Sequence, residues 1–224
     1  MPLPLYHEHP WNPSPDEAVQ LQNQLKKEIL HQPLPEKIER VGGLDVRYVD
    51  GCARAAAVVF EFPTMKVAAQ AVLEIPVSYP YIPGLFSFRE VPPLLAAMEG
   101  LAALPDVWLC DGQGIAHPRR FGLACHLGVL LDLPTVGCAK SVLIGTHAPL
   151  APERGSIAPL MENGEVIGMA VRTRDKISPV FVSVGHRADL DSAVRLVLAC
   201  GRGLRLPEPL RLAHWLTTQA VTTP

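Results

Sequence analysis

The sequence has no pair of cysteines at the close spacing of a metal or redox motif. Its five cysteines, Cys52, Cys110, Cys125, Cys138 and Cys200, are scattered, odd in number and mostly set in apolar runs, where a cysteine behaves as a small hydrophobe. Neither a structural zinc site nor a disulfide framework is expected, and a reducing compartment is the simplest setting. No run of about eighteen apolar residues is present to span a bilayer, and no basic patch followed by an apolar segment stands near residue 1. No membrane association and no secretory leader are therefore expected, which leaves a cytoplasmic protein. Positive charge is not in surplus: 20 Lys and Arg stand against 22 Asp and Glu, a formal net charge of −2. This excludes a protein that coats nucleic acid by bulk phosphate neutralisation. It does not exclude an enzyme with a local basic groove, because fields depend on where charges sit. Internal repeats and low-complexity tracts are missing as well.

What is present is enough apolar material, 48% of 224 residues, for one well-filled domain. Residues 1–13, rich in Pro, His and aromatics, suggest an arm, with residues 14–224 as the domain. Ser14-Pro15-Asp16-Glu17 combines an N-cap, a proline at the first helical position and a capping-box glutamate. Ala18, Leu21, Leu25 and Ile29 then predict a helix to about His31. Strands are predicted over 41–49, 53–62 and 67–77, with Asp50-Gly51 as a hairpin turn. The segment 78–90 reads as an aromatic- and proline-rich loop before a helix over about 92–104. A short strand over 107–110, an apolar helix over 121–132 and a strand over 134–139 form a βαβ unit with a parallel pair. Asn163-Gly164 marks a hairpin between 157–161 and 165–173. Helices follow Asp189 and open at Pro207-Glu208-Pro209, the last running over about 207–219. The order describes a single α/β domain with a central mixed sheet flanked by helices.

Few side chains carry chemistry. Asp45 sits inside a strand, where aspartate is uncommon; it is either a solvent-facing side chain or a carboxylate aimed at a metal. Asp111 ends a hydrophobic strand, the position where ligands of open α/β sheets gather, although an Asp-Gly turn explains it equally well. Two strand-borne carboxylates are the minimum for a hard cation such as Mg²⁺. Glu90 reads as a solvated carboxylate or one at a helix start, stabilised by the helix dipole. Lys140 lies at the end of the strand beside Asp111. His117, Arg119 and Arg120 form a small basic cluster suited to phosphate contact, although a surface cluster without a ligand is the commoner explanation. His214 stands in the last helix, and His126 and Cys125 fit a core better than a metal site.

The segments PYIPGLFSFRE (80–90) and DGQGIAHPRRFGLACHLGVLLDLPTVGCAKS (111–141), with VGGLDVRY (41–48) and RLPEPLRLAH (205–214), closely resemble endonuclease V in the order of that family's blocks. The likeness covers nearly all of 15–219. It implies an RNase H-like fold and a Mg²⁺-dependent endonuclease, with Mn²⁺ as a substitute, acting in DNA repair. The implied substrate is inosine in DNA or RNA, hydrolysed at the second phosphodiester bond 3′ of the lesion to leave 3′-hydroxyl and 5′-phosphate ends. It implies further that Asp45 and Asp111 hold the metal, Glu90 through water, while Lys140 and His214 act at the reacting phosphate. Tyr81, with Pro80, Ile82 and Pro83, resembles the family's wedge, and Arg89, His117 and Arg119 would contact substrate. The flipped base would enter a pocket of Phe86, Gly112, Gly114, Gly122 and Leu123, where glycines bring backbone N–H groups close. A monomer is expected. One departure stands out: the family's common DGHG is Asp111-Gly112-Gln113-Gly114 here, and glutamine keeps a donor and an acceptor but cannot titrate.

Overall fold

The computed structural model describes residues 3–219. Alternating apolar residues and two tight turns build its first half. Strands β1 (Arg40–Val49), β2 (Cys52–Glu61) and β3 (Lys66–Pro76) form an antiparallel meander. Asp50 and Gly51 both adopt positive φ, 48° and 80°, as a two-residue hairpin with the native twist requires. The second half adds β4 (Val107–Cys110), β5 (Thr135–Ala139), β6 (Ile157–Glu162), β7 (Glu165–Val171) and β8 (Val180–His186). The helices are α1 (Pro15–Leu25), α2 (Phe86–Glu99), α3 (Leu123–Leu131), α4 (Leu190–Ala199) and α5 (Glu208–Thr218).

All eight strands join one sheet in the order β3-β2-β1-β4-β5-β8-β7-β6. β1, β4 and β5 run parallel, and the other pairs are antiparallel, so the sheet is mixed as expected. One face packs Leu44, Ala55, Ala57 and Trp108 against α2 and α3. The other packs Val58, Leu109, Val136 and Val182 against α4 and α5. Among the described residues no helix is long and apolar enough to cross a membrane.

Three expectations are corrected. The first α-helix stops at Leu25, with one 3₁₀ turn over Lys26–Glu28. Helix α2 begins at Phe86, not near 92, and ends at Glu99. Pro92 and Pro93 lie inside it, and burial of Phe88, Val91, Leu94, Leu95 and Met98 outweighs the two donors those prolines withhold. Strand β8 was not predicted. It is buried on both faces, so its sequence has no period of two, and its partners on β5 are distant in the chain.

Candidate active site

The site begins with a close approach. Gly42 and Gly43 open the middle of β1, and a Cβ on Gly43 would meet the Pro209 carbonyl at 2.3 Å. Glycine there lets α5 lie directly on the sheet. Asp45 projects from the same face two residues on, under α5, and is only 7% exposed. Thr217 of α5 donates its hydroxyl to Asp45 Oδ2 at 2.6 Å, and His214 Nδ1 lies 3.4 Å from the same oxygen.

Parallel pairing brings in the second acid. Leu44 faces Cys110 across β1 and β4, and the next N–H, that of Asp111, donates to the Leu44 carbonyl at 3.1 Å. Asp111 therefore stands beside Asp45 at the end of β4. Lys140, just after β5, places Nζ 2.5 Å from Asp111 Oδ2 and 3.4 Å from His214 Nδ1. Among the described residues, Asp45, Asp111 and His214 offer ligand atoms all within 4.8 Å of one another, a spacing that could hold a metal ion. Glu90 lies outside that set. It is buried in α2, yet close enough that the two aspartates act on it.

The electrostatics are those of a site short of positive charge. Burial first, and then Asp111 alongside, push the Asp45 carboxyl up to about 7, against the opposing pull of Thr217 and Lys140. Glu90 is raised well above the carboxylate range, again by burial first and then by Asp45 and Asp111. Burial, helped by Lys140, lowers the His214 imidazole and favours its neutral form. Three crowded acids and one neutral imidazole suit a cation better than the single ammonium of Lys140, and oxygen donors suit a hard one.

Beside the acids a cavity of about 370 Å³ opens between the 81–87 segment and the chain after β5. Phe86, Gly112, Gly122 and Leu123 line it, together with Tyr81, Pro83, Gln113 and His117. Tyr81 stands 67% exposed at its mouth, edge-on to Phe86. Pro80 is exposed, whereas Ile82 packs inward against a small core of Ala18, Tyr79, Leu85 and Phe88. Arg89 lies 4.1 Å over the Tyr48 ring and donates to the Tyr79 carbonyl. Gly114 is not among the lining residues. It is pressed on β8, where a Cβ would meet the Val184 carbonyl at 1.9 Å.

The glycine N–H groups are also spoken for. Gly112 donates to Cys110, Gly114 to Ser183 Oγ and Gly122 to Gly114. These glycines thus serve the folding of chain upon chain; their N–H groups do not point free into the cavity. The basic cluster is likewise engaged internally. His117 is buried, its imidazole lowered to about 4 chiefly by that burial, with Nε2 donating to Gly84 and Nδ1 accepting from Arg119 N. Arg119 donates to Gln22 and Gly84, and Arg120 pairs with Glu165 at 2.8 Å.

The sequence reading had passed over Thr217, Gln22 and the cavity wall Ser141-Val142-Leu143. Gln22 left one signal: with Ala18 and Leu25 it completes the buried stripe of α1, where a polar side chain needs a polar partner. His126 is core as expected, bonded to Ser87 and to His9. All five cysteines are free thiols.

The family model of endonuclease V matches residues 21–215. Endonuclease V of Methanothrix thermoacetophila is 51% identical over 209 residues, spanning 93% of each protein. The crystal structure of endonuclease V from Streptomyces avermitilis superposes with a TM-score of 0.88 at 44% identity, covering 92% of both chains. That of Ciona intestinalis endonuclease V, in complex with a 24mer DNA containing an inosine followed by a ribo-adenosine, gives 0.80 at 31% identity, covering 90% of this chain and 95% of the other. An RNase H-like mixed sheet, an acidic cluster at its parallel centre and these likenesses agree: the chain belongs to the endonuclease V family and is a nuclease.

Proposed function

We propose that the chain is a Mg²⁺-dependent endonuclease that recognises inosine in DNA and hydrolyses the second phosphodiester bond 3′ of it, leaving 3′-hydroxyl and 5′-phosphate ends. The observation that carries this reading is the juxtaposition of the Asp45, Asp111 and His214 donors with a base-sized cavity opening under an exposed tyrosine. The relative from Ciona, with its inosine-containing DNA, supports the base assignment. Residues 14–224 would form the catalytic unit and 1–13 an arm upon it.

Asp45 and Asp111 would hold Mg²⁺ directly and Glu90 through water, with Mn²⁺ as substitute. When bound, the ion supplies polarisation of the phosphoryl oxygen and a more acidic water. The chain's own residues supply the rest. Lys140, flexible and already turned to the acids, would stabilise the charge that develops on the phosphate. His214, neutral and half exposed, would orient the attacking water and accept its proton at a ring nitrogen. Tyr81 would fill the gap left in the base stack, with Pro80 and Pro83 stiffening its loop. Phe86 and Leu123 would hold the extruded base between apolar surfaces.

Inosine in RNA is a second reading, favoured by the ribo-adenosine that follows inosine in the Ciona ligand. A cleavage panel with Mg²⁺ tests both, comparing inosine in single-stranded DNA, duplex DNA and RNA with matched adenosine controls. Cleavage of inosine and adenosine substrates at equal rates would refute the proposed recognition.

A further inference from the structure

One carbonyl near the cavity is bonded to an unusual degree. Gly84, at φ 78°, turns the chain between the exposed Tyr81 and the start of α2. Its carbonyl accepts from Gln22 Nε2 at 3.0 Å, from His117 Nε2 at 3.1 Å and from Arg119 Nη2 at 2.5 Å. The same Gln22 amide donates to the Phe121 carbonyl at 3.3 Å, and its Oε1 accepts from Arg119 Nε at 2.5 Å. Two carbonyls on one side and a guanidinium on the other fix which way the amide points.

Gly84 lines the cavity, and Phe121 precedes Gly122 and Leu123, a second lining segment. A single side chain, buried on α1 and itself outside the lining, therefore joins these two lining segments. The helix that carries it is well anchored. Ser14 and Glu17 close a capping box at its start, and Leu25 packs with Phe121, Cys125 and Val129.

We propose that Gln22 is a positioning residue that sets the spacing of these two lining segments and thereby the preference for inosine over adenosine. This rests on the reading of the cavity as the base site. Hypoxanthine and adenine have nearly the same shape and differ mainly in hydrogen-bonding groups. Discrimination between them depends on distances and angles that weaken steeply when walls shift by a fraction of an ångström. Gln22 touches neither base nor phosphate. Its effect would pass through the backbone at Gly84 and Phe121.

The test compares the native protein with Gln22→Met, which keeps the volume and removes the amide, and Gln22→Glu, which keeps Arg119's acceptor and removes both carbonyl donors. Affinities for inosine and matched adenosine duplexes are measured with Ca²⁺ replacing Mg²⁺, and kcat and KM with Mg²⁺. Both variants are expected to lose about tenfold in the inosine-to-adenosine affinity ratio, about 1.4 kcal/mol, with most of the catalytic loss in KM. Arg119→Lys, at a half-exposed site, loosens the same amide without disturbing the buried stripe, and should lower the ratio in the same direction if the Gln22 variants fail to fold. An unchanged ratio in every folded variant, or equal weakening of both duplexes, overturns the proposal. A native protein with no inosine preference would instead refute the base-site reading itself, which separates the two failures.

Discussion

Asp45 is the carboxylate whose replacement should stabilise the protein while destroying its activity. Burial and the neighbouring Asp111 carry its carboxyl from 3.8 to about 7. At 1.36 kcal/mol per tenfold change in proton affinity, this disfavours its charged form by roughly 4 kcal/mol when no cation is bound. Between those two pH values the folded protein keeps a proton that the unfolded chain has released. Stability of the metal-free protein must therefore fall as pH rises through this window, and the penalty is complete only above about 7. Asparagine has the same shape and no charge to bury, so Asp45→Asn escapes it. The 2.6 Å bond from Thr217 favours the charged form and is already contained in that figure, but an asparagine amide brings N–H donors that this crowded site was not built to receive, which costs about 1–3 kcal/mol. A net stabilisation of about 1–3 kcal/mol at pH 7.5 is expected.

Urea or thermal unfolding of chelator-treated native protein and Asp45→Asn, at pH 5 and 7.5, measures this directly. The variant's advantage should widen by about 2 kcal/mol between the two. At pH 7.5 the melting temperature should rise by several degrees, since about 1 kcal/mol moves a domain of this size by 2–4 °C. Added Mg²⁺ should narrow the gap by stabilising the native protein more than the variant. A variant less stable than native at pH 7.5 without metal, or a gap that does not change with pH, would refute the reasoning.

Asp111→Ala should abolish cleavage even at raised Mg²⁺ while leaving inosine DNA bound, as single-turnover kinetics and a gel shift would register. Tyr81→Ala should weaken binding to inosine duplex about fivefold to a hundredfold, the range expected for the loss of one base–aromatic stack of 1–3 kcal/mol; unchanged affinity would remove the wedge assignment. The salt dependence of DNA binding should be shallow, because Arg119 and Arg120 are tied to protein partners and few phosphates are left to neutralise. A steep log–log slope in an affinity titration would show that other cations make the contact.

Much of the frame was legible where a residue's neighbours in sequence decide its state. The capping box at Ser14, the turns at Asp50-Gly51 and Asn163-Gly164, and the parallel β4–α3–β5 unit all follow from local rules and are all present. The family blocks placed Asp45, Asp111, Lys140 and His214 in one expected centre, and the structure does bring them together. Reading failed where a distant element decides. Alternation along β1 left open a solvent-facing Asp45, because nothing near residue 45 announces that α5 will cover it. Glu90 read as a helix-start residue because the aromatic- and proline-rich stretch 78–90 looked like a loop, whereas packing carries α2 back to Phe86 and buries the acid. His117, Arg119 and Arg120 formed a basic cluster in sequence, yet His117 is buried and both arginines, though partly exposed, are tied to protein partners. Charge counted along a chain does not reveal where that charge is spent.

The two halves of the site stand on supports that overlap only in part. Asp45 and Asp111 rest on β1 and on the end of β4 beneath α5, held by main-chain pairing and by the contact at Gly43 that only glycine permits. The cavity rests on α1, the 79–88 segment and the turn before α3, joined through Gly84, Gln22 and Phe121. They meet at Asp111, which belongs to both, at Lys140, which pairs with Asp111 and lines the cavity, and on α2, which carries Phe86 in the wall and Glu90 near the aspartates. A crowded acidic centre favours binding a cation at the expense of metal-free stability, so it needs a rigid frame, which the sheet supplies. A base pocket needs walls at a fixed separation, and a network of buried hydrogen bonds supplies that with little dependence on the sheet. Substitutions behind the cavity should therefore alter which base is chosen, and substitutions under α5 should alter whether the bond is cut.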